Sequence, residues 1–277
     1  MTHTDSGATH GSPDPNPASS SVPVVEIGGI PIATVTYEQA LSLFLGARVA
    51  GRRLAVHFCT AHTIVESTDD DRLRTALRNE ALNVADGVPL VWVGRSRGRR
   101  IERVCGLDVL PDVVDRGRAD GARHYFYGGA EGTAEHLAAR LEKRFPGLIV
   151  AGIEVPPFRP LTADEDEAMI ARVNAAQPDF IWVGLGTPKQ DLWLADHRDR
   201  LDAAALMAVG AAFDIVGGRR RRAPRVMRRL GLEWLFRLAL EPRRLLRRYT
   251  IANGRFLGIV LRDAARRGSR RADRPRG

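Results

Sequence analysis

The chain has 277 residues, 44% of them hydrophobic, and a formal net charge of +9, which suits one large globular core or two small ones. Its longest nearly continuous apolar run, residues 203–213, ends at Asp214 and falls short of the roughly 20 residues that cross a bilayer, so no spanning helix is expected. The charge is lopsided: residues 219–277 carry 20 arginines and no lysine against four acids, a net +16 that leaves −7 for residues 1–218, so the basic segment reads as an attachment surface for something anionic.

Cys59 and Cys105 sit in apolar surroundings without metal-ligand spacing, as free thiols of a reducing compartment do, which points to the cytoplasm. Residues 1–22 are rich in Ser, Pro, Gly and Thr and show no apolar h-region, so a disordered tail and no signal peptide are expected there.

Val22 to Thr36 reads as two short strands around Gly28-Gly29, a hairpin signal. Tyr37 to Ala50 follows with helical spacing at Ala40, Leu43, Phe44 and Ala47. Leu54 to Cys59 is a buried-strand pattern, residues 69–81 read as a helix, and Asn83 to Gly87 sets Asp86 at the start of a glycine turn just past a strand. Arg123 to Tyr127 is a strand that Gly128-Gly129 turns into a helix from Glu131 to Phe145, stopped by Pro146-Gly147. After a strand at residues 148–153, Thr162 and Glu165 form a capping box that starts a helix running to Ala176. Phe180 to Val183 is a strand opening into Gly184-Leu185-Gly186-Thr187-Pro188, with Pro188 placed at a helix N1.

Strands alternating with helices of about 10 to 15 residues predict an α/β fold: a Rossmann-like parallel-sheet domain over residues 23–218, with an N-terminal hairpin and helices on both faces. Ligands of such sheets bind beyond the carboxyl ends of the strands, which gathers His62, Asp86, Gly128, Gly129 and residues 184–190 on one rim. Residues 219–263 form a basic helical appendage with two apolar stripes, one of Leu230, Trp234, Leu235 and Leu238, the other of Leu245, Tyr249, Ala252, Phe256 and Ile259. Residues 264–277 read as a solvated, disordered basic tail.

On the residues alone, Asp86 is either good turn chemistry or a working carboxylate, and His62 is a base, a sugar contact or a core histidine. Gly128-Gly129 and the turn from Gly184 to Gly186 leave amides accessible at helix starts, where the dipole favours a phosphate; Lys189 and Gln190 extend that surface to a pyrophosphate or ribose, or merely face solvent. Asp69-Asp70-Asp71 resembles an acidic metal motif, but three acids before Arg72-Leu73-Arg74 are what a helix start prefers, so no metal is expected. Arg103 is expected near the rim, opposing a phosphate or orienting a carboxylate, and Asp108 as a helix cap. Arg222, Arg225 and Arg229 belong to a run open to nucleic acid, a membrane or solvent; its apolar stripes, with Trp234, Phe236, Tyr249 and Phe256, favour membrane docking over nucleic acid. A nicotinamide oxidoreductase is disfavoured because Lys189 stands where the fingerprint needs its third glycine. A non-enzymatic binder of anionic lipid or nucleic acid leaves the acidic main domain unexplained.

The segments Asn83–Gly87 (NVADG), Glu102–Asp108 (ERVCGLD), Gly184–Trp193 (GLGTPKQDLW), Val209–Asp214 (VGAAFD), Arg222–Arg225 (RAPR) and Leu230–Leu235 (LGLEWL) resemble, in order and spacing, the WecG/TagA/CpsF family of bacterial glycosyltransferases. The resemblance implies a Rossmann-like fold with a membrane-docking helical appendage. It also implies transfer of a sugar, often N-acetylmannosamine, from a UDP-sugar to a polyprenyl-pyrophosphate-linked saccharide, with inversion and with neither metal nor cofactor. The pathways it suggests are teichoic acid and exopolysaccharide biosynthesis, at the inner face of the cell membrane. Asp86 matches the family's proposed base, and Thr60 and position 62 match its donor-sugar contacts; many members carry Pro-Asn where this chain has Ala61-His62. The partners implied are the UDP-sugar, the lipid-linked acceptor and an anionic membrane surface, with no nucleic acid, and with a homo-oligomer kept open.

Overall fold

A computed structural model describes residues 22–79, 81–224, 226–227, 233–240 and 242–272. The hairpin forms as expected, from β1 (Val24–Ile27) and β2 (Ile30–Ala33), and its turn has Gly28 and Gly29 at φ of 60° and 78°. Two left-handed positions in succession are what a two-residue hairpin turn of the right twist demands. Helix α1 (Tyr37–Val49) is opened by a capping box of Thr36 and Gln39, and it buries Leu41 rather than Leu43 beside Ala40, Phe44 and Ala47.

Six strands make the main sheet: β3 (Leu54–Cys59), β4 (Ala81–Ala85), β5 (Arg123–Gly128), β6 (Ile149–Glu154), β7 (Phe180–Gly184) and β8 (Ala205–Ala208). Their order is β4-β3-β8-β7-β5-β6, and every adjacent pair is parallel. The central strand β8 comes from the apolar run that ends at Asp214. Buried on both faces, it shows no alternation, which is why periodicity does not single it out.

The helices between them are α2 (Ala61–Asp69), α3 (Asp71–Arg78), α4 (Val88–Ser96), α5 (Gly106–Gly117), α6 (Thr133–Arg144), α7 (Ala163–Ala175), α8 (Lys189–His197) and α9 (Ala212–Val216). Three local expectations change. The helix expected over residues 69–81 is the shorter α3: Asp70 is extended and its carboxylate accepts from the Leu73 amide at 3.0 Å, capping a helix that ends at Arg78, and Ala81 already opens β4. Pro188 is the N-cap of α8 rather than its first residue, and follows a cis peptide bond. Asp108 lies inside the first turn of α5, whose N-cap is Cys105, so it does not cap that helix.

One face of the sheet packs Val56, Phe58, Phe126 and Trp182 with Phe44 and Phe213; the other packs Ala55, Tyr127, Ile181 and Leu206 with Trp193 and Leu194. A third cluster joins the hairpin to α2 through Ile27, Ile30 and Ile64, and Phe256 completes it. That residue belongs to the appendage, described as α10 (Glu233–Leu240) and α11 (Pro242–Ala272).

The appendage departs from the expectation in two ways. Helix α11 runs through the boundary drawn at residue 263 and on to Ala272. Its stripe of Ala252, Phe256 and Ile259 faces inward: Ala252 and Phe256 are buried, and Ile259 packs on the hairpin cluster. Burying a phenylalanine is worth about 2–3 kcal/mol, so this stripe serves docking onto the body and is not a membrane face. Arg255 adds a two-pronged pair with Asp69 at 2.6 Å, and the Asp263 carboxylate accepts from the Gly28 amide at 2.9 Å. Leu257 and Leu261 point outward, 58% and 60% exposed. Among the described residues no helix is long and apolar enough to cross a membrane.

Candidate active site

The carboxyl ends of the strands bring the expected rim residues into two groups. At the β3–β4 end, the amides of Asp86 and Gly87 both donate to the Cys59 carbonyl, at 2.9 and 3.2 Å, which fixes the turn that carries the acid. Space favours Gly87 there, since a Cβ would stand 3.3 Å from the Thr60 backbone, a tight contact. Gly87 is also the N-cap of α4, so the Asp86 carboxylate sits near the positive end of that helix.

Arg103 reaches this turn from the segment before α5. Its Nε donates to the Asp86 carbonyl at 2.6 Å, and its Nη2 lies 3.3 Å from Asp86 Oδ1, 3.3 Å from Cys105 Sγ and 2.9 Å from Glu233 Oε2. Burial disfavours the Arg103 cation, but the neighbouring groups, the carboxylates of Asp86 and Glu233 among them, outweigh it, and its pKa is raised. Burial likewise pushes the Cys105 thiol well above its usual value, leaving it a neutral neighbour at physiological pH.

Glu233, the first residue of α10, is 8% exposed in its side chain and stands between two guanidiniums, since Arg222 Nε lies 3.7 Å from its Oε1. Arg222 in turn donates to the Asp108 carboxylate at 2.7 Å. Burial works against the Arg222 charge, and the bond to Asp108 more than restores it. The appendage is thus wired to Asp86 through Arg103. Arg225 and Arg229, expected beside Arg222, lie outside the described residues, as do the side chains of Trp234 and Tyr249.

Thr60 is the N-cap of α2, accepting from the Thr63 amide. His62, in the first turn of α2, is 22% exposed in its side chain and has Nδ1 3.6 Å from Glu66 Oε1, so it borders the rim and is not a core histidine. The buried histidine of the preceding strand β3 is instead His57, paired with Asp191 at 2.8 Å.

The second group is built from backbone. Gly128 and Gly129 have φ of 106° and 84°, and Gly186 has 77°; the Gly129 amide donates to the Gly184 carbonyl at 3.0 Å, clasping the β5 and β7 ends together. A Cβ on Gly184 would lie 2.8 Å from the Phe213 ring, so glycine there is a packing requirement. Gln190 is buried, with Oε1 accepting from the Gly186 amide and Nε2 donating to the Ala208 carbonyl, both at 2.9 Å. It is not a residue of a solvated helix face: it holds the β7 turn against the end of β8. Lys189 is exposed at the start of α8.

The three consecutive acids diverge. Asp69 pairs with Arg255, Asp70 caps α3, and Asp71 meets Arg74 at 3.3 Å. Among the described residues no three His, Cys, Asp or Glu side chains are grouped to hold a metal. A cavity of about 490 Å³ lies away from the rim, between α3 and α8, lined by His57, Arg72, Asn79 and Asp199; none of the rim residues lines it.

The residue that sequence reasoning missed is Glu233. It is the one acid between Arg219 and Leu240, a carboxylate isolated among arginines and apolar residues, and that isolation was the available signal.

With this geometry in view, similarity to known proteins is specific. The chain is 27% identical over 180 residues to the N-acetylglucosaminyldiphosphoundecaprenol N-acetyl-beta-D-mannosaminyltransferase of Bacillus spizizenii, covering 65% of this chain and 68% of that protein. The Glycosyl transferase WecG/TagA/CpsF family matches over residues 25–270, from the hairpin through most of α11. Such a match spans the sheet, the rim and the appendage together, which leaves no room for the oxidoreductase or the non-enzymatic binding module: the chain belongs to the WecG/TagA/CpsF family of glycosyltransferases.

Proposed function

We propose that the chain transfers N-acetylmannosamine, or a related hexose, from a UDP-sugar to a polyprenyl-diphosphate-linked saccharide, with inversion at the anomeric carbon. The observation that carries this reading is the placement of Asp86, a half-buried carboxylate on a backbone-fixed turn at the carboxyl end of β4, beside Arg103. In an inverting transfer the acceptor hydroxyl oxygen attacks the anomeric carbon, the bond from that carbon to the UDP oxygen breaks, and a base takes the hydroxyl proton. Asp86 is that base, and it needs no cofactor.

The glycine turns supply the matching half. The segments carrying Gly128, Gly129, Gly184 and Gly186 are suited to the donor diphosphate, because turns without side chains let anionic oxygens approach a helix start, where the exposed Lys189 adds a cation and Gln190 holds the β7 turn in place. Thr60 and His62 border the space where the sugar would lie. Arg222, with Arg225 and Arg229, is assigned to the acceptor diphosphate, for which guanidinium is the apt partner. The acceptor class follows from the relative's name, which specifies an N-acetylglucosaminyl diphosphoundecaprenol acceptor.

A lipid-linked acceptor calls for a membrane-facing surface at the inner face of the cell membrane. Leu257 and Leu261 on the outer side of α11, with Arg262 exposed between them and the next turn, fit a peripheral attachment to anionic lipid. The test is a panel of UDP-sugars incubated with undecaprenyl-diphosphate N-acetylglucosamine and read by mass spectrometry. Transfer of one hexosamine supports the reading; absence of any transferred sugar across the panel overturns it.

A further inference from the structure

We propose that the outer face of α4 is a contact surface for an anionic lipid bilayer, with Trp92 seated among the headgroups and the arginines that follow it on the lipid phosphates. It rests on the reading of a lipid-linked acceptor, and it assigns a lipid contact to the sheet domain itself, outside the appendage. Trp92 is 65% exposed, whereas Trp182 and Trp193 are buried. One turn back on the same face of α4 stand Val88 and Pro89, both half-buried, and one turn on stand Arg95 and Ser96, both exposed. An indole set between an apolar turn and a basic turn is the arrangement of an interfacial helix: the ring enters the headgroup layer while its N–H stays wet.

The end of α4 is built to present charge. Residues 87–101 hold four arginines and no acid. Gly98 takes φ of 71°, and the amides of Gly98 and Arg99 donate to the carbonyls of Arg95 and Gly94 at 2.9 and 3.1 Å, a left-handed close that leaves Arg99 and Arg100 exposed. Arg97 is used differently. It donates to the Glu26 carbonyl and meets Asp263 at 3.4 Å, tying the end of α4 to the stretch of α11 that carries Leu261 and Arg262. Asp263 also meets Arg267 at 3.7 Å and accepts from the Gly28 amide, so that acid is engaged on the inner side of the turn. A two-fold contact between copies would set these arginines against themselves, whereas lipid phosphates match guanidinium in charge and geometry. Gly87 caps α4 and Asp86 precedes it, so Trp92 lies about 8 Å along the helix from the turn that carries the acid. Seating Trp92 at the headgroups holds that turn near the depth of a lipid diphosphate.

Flotation of the full chain with vesicles of mixed phosphatidylglycerol and phosphatidylcholine, against phosphatidylcholine alone, tests the surface. Trp92→Ala should lower partitioning onto the anionic vesicles roughly tenfold, and the loss should persist in high salt. The double variant Arg99→Gln, Arg100→Gln should lose roughly ten- to thirtyfold at low salt, and that loss should fade as salt rises. All three sites are exposed, so thermal melts should match wild type. Brominated acyl chains read the contact directly, quenching wild-type tryptophan emission and quenching that of Trp92→Phe distinctly less. Wild-type partitioning by Trp92→Ala overturns the proposal. So does a loss confined to the arginine variant, which would reduce the face to diffuse charge attraction. A change of sedimenting mass in Trp92→Ala with vesicle binding intact would make the face a contact between copies, and overturns it too. Vesicle binding needs no turnover, so a chain that binds through Trp92 yet transfers no sugar would refute the function and not this surface.

Discussion

At the β3–β4 end of the rim, Asp86 is surrounded by side chains that share one guanidinium, with Glu233 and Cys105 competing for Arg103. At the β5–β7–β8 end the same sheet presents almost only backbone, with Gly128, Gly129 and Gly184 packed so closely that a side chain at Gly184 would strike Phe213. On the proposed function, the contrast follows from what each end would be asked to do. A group that must gain a proton in the reaction needs partners whose charge can tune it, and those partners are side chains. A diphosphate keeps its charge, and is best met by rigid turns that put no side chain in its way. Substitutions at the first end should therefore strike kcat, whereas substitutions at the second should strike donor binding and folding together.

Asp86→Asn tests the contrast most severely. It keeps the shape of the turn, whose bonds to Cys59 are made by backbone, and removes the proton acceptor. Transfer should fall roughly 10²–10⁴-fold in kcat, with donor KM changed little, as expected for loss of a general base. Single-turnover assays beside a thermal melt check both halves, and a near-normal rate would end the assignment.

The glycine end rests on a part of the sheet that acid should loosen. His124 on β5 is buried, accepts from the Trp182 indole at 3.1 Å, and burial lowers its pKa to about 4 against a slight opposing pull from Asp179. Because the folded pKa lies below the unfolded one near 6.5, the unfolded chain binds the proton more readily. Stability is whole above about pH 6.5 and is lost as pH falls toward 4, by up to about 3 kcal/mol. Urea titrations across that window measure it, and His124→Phe should flatten this part of the slope. A slope unchanged in that variant would assign the acid sensitivity elsewhere.

Gly184→Ala is smaller and more local. The added Cβ meets a Phe213 ring that is 1% exposed and cannot retreat into solvent, so about 1–3 kcal/mol of stability should go. The turn should shift with it, raising donor KM roughly several-fold while kcat stays near wild type. A drop in kcat with KM intact would break the division of labour between the two ends.

Much of this was legible in the sequence, for physical reasons that differ by element. The hairpin is announced by adjacent glycines, and α7 by Thr162 and Glu165, because a turn of the right hand and a helix start each require particular side chains. The rim follows from the alternation of strands and helices, since parallel strands all end on one side. Strand β8 was not legible, because Ala205-Leu206-Met207-Ala208 is made of helix-favouring residues inside a longer apolar run, so neither alternation nor β-branched residues mark it. The inward turn of Phe256 was hidden for a related reason: an apolar stripe on a basic helix looks the same whether it meets lipid or the hairpin, and only the presence of Ile27, Ile30 and Ile64 decides. Glu233 escaped because its contact with Arg103 spans 130 residues, which no local pattern encodes.

His62 gives the finest test, because the strand before its helix, β3, pairs with both β4 and β8. It follows the cap Thr60 in the first turn of α2, close to Glu66 and clear of the core. If the side chain only helps to hold the donor sugar, His62→Asn should leave the rate with the preferred donor within about fivefold, since exchanging one hydrogen-bonding group for another at a partly exposed site costs about 1 kcal/mol or less. The change should appear in the ratio of kcat/KM between two UDP-hexosamines that differ at one hydroxyl. The acid limb of the pH profile should stay where Asp86 sets it. A loss of rate as large as that of Asp86→Asn, for every donor, would make the histidine part of the proton transfer and move the boundary between the two ends by one helix turn.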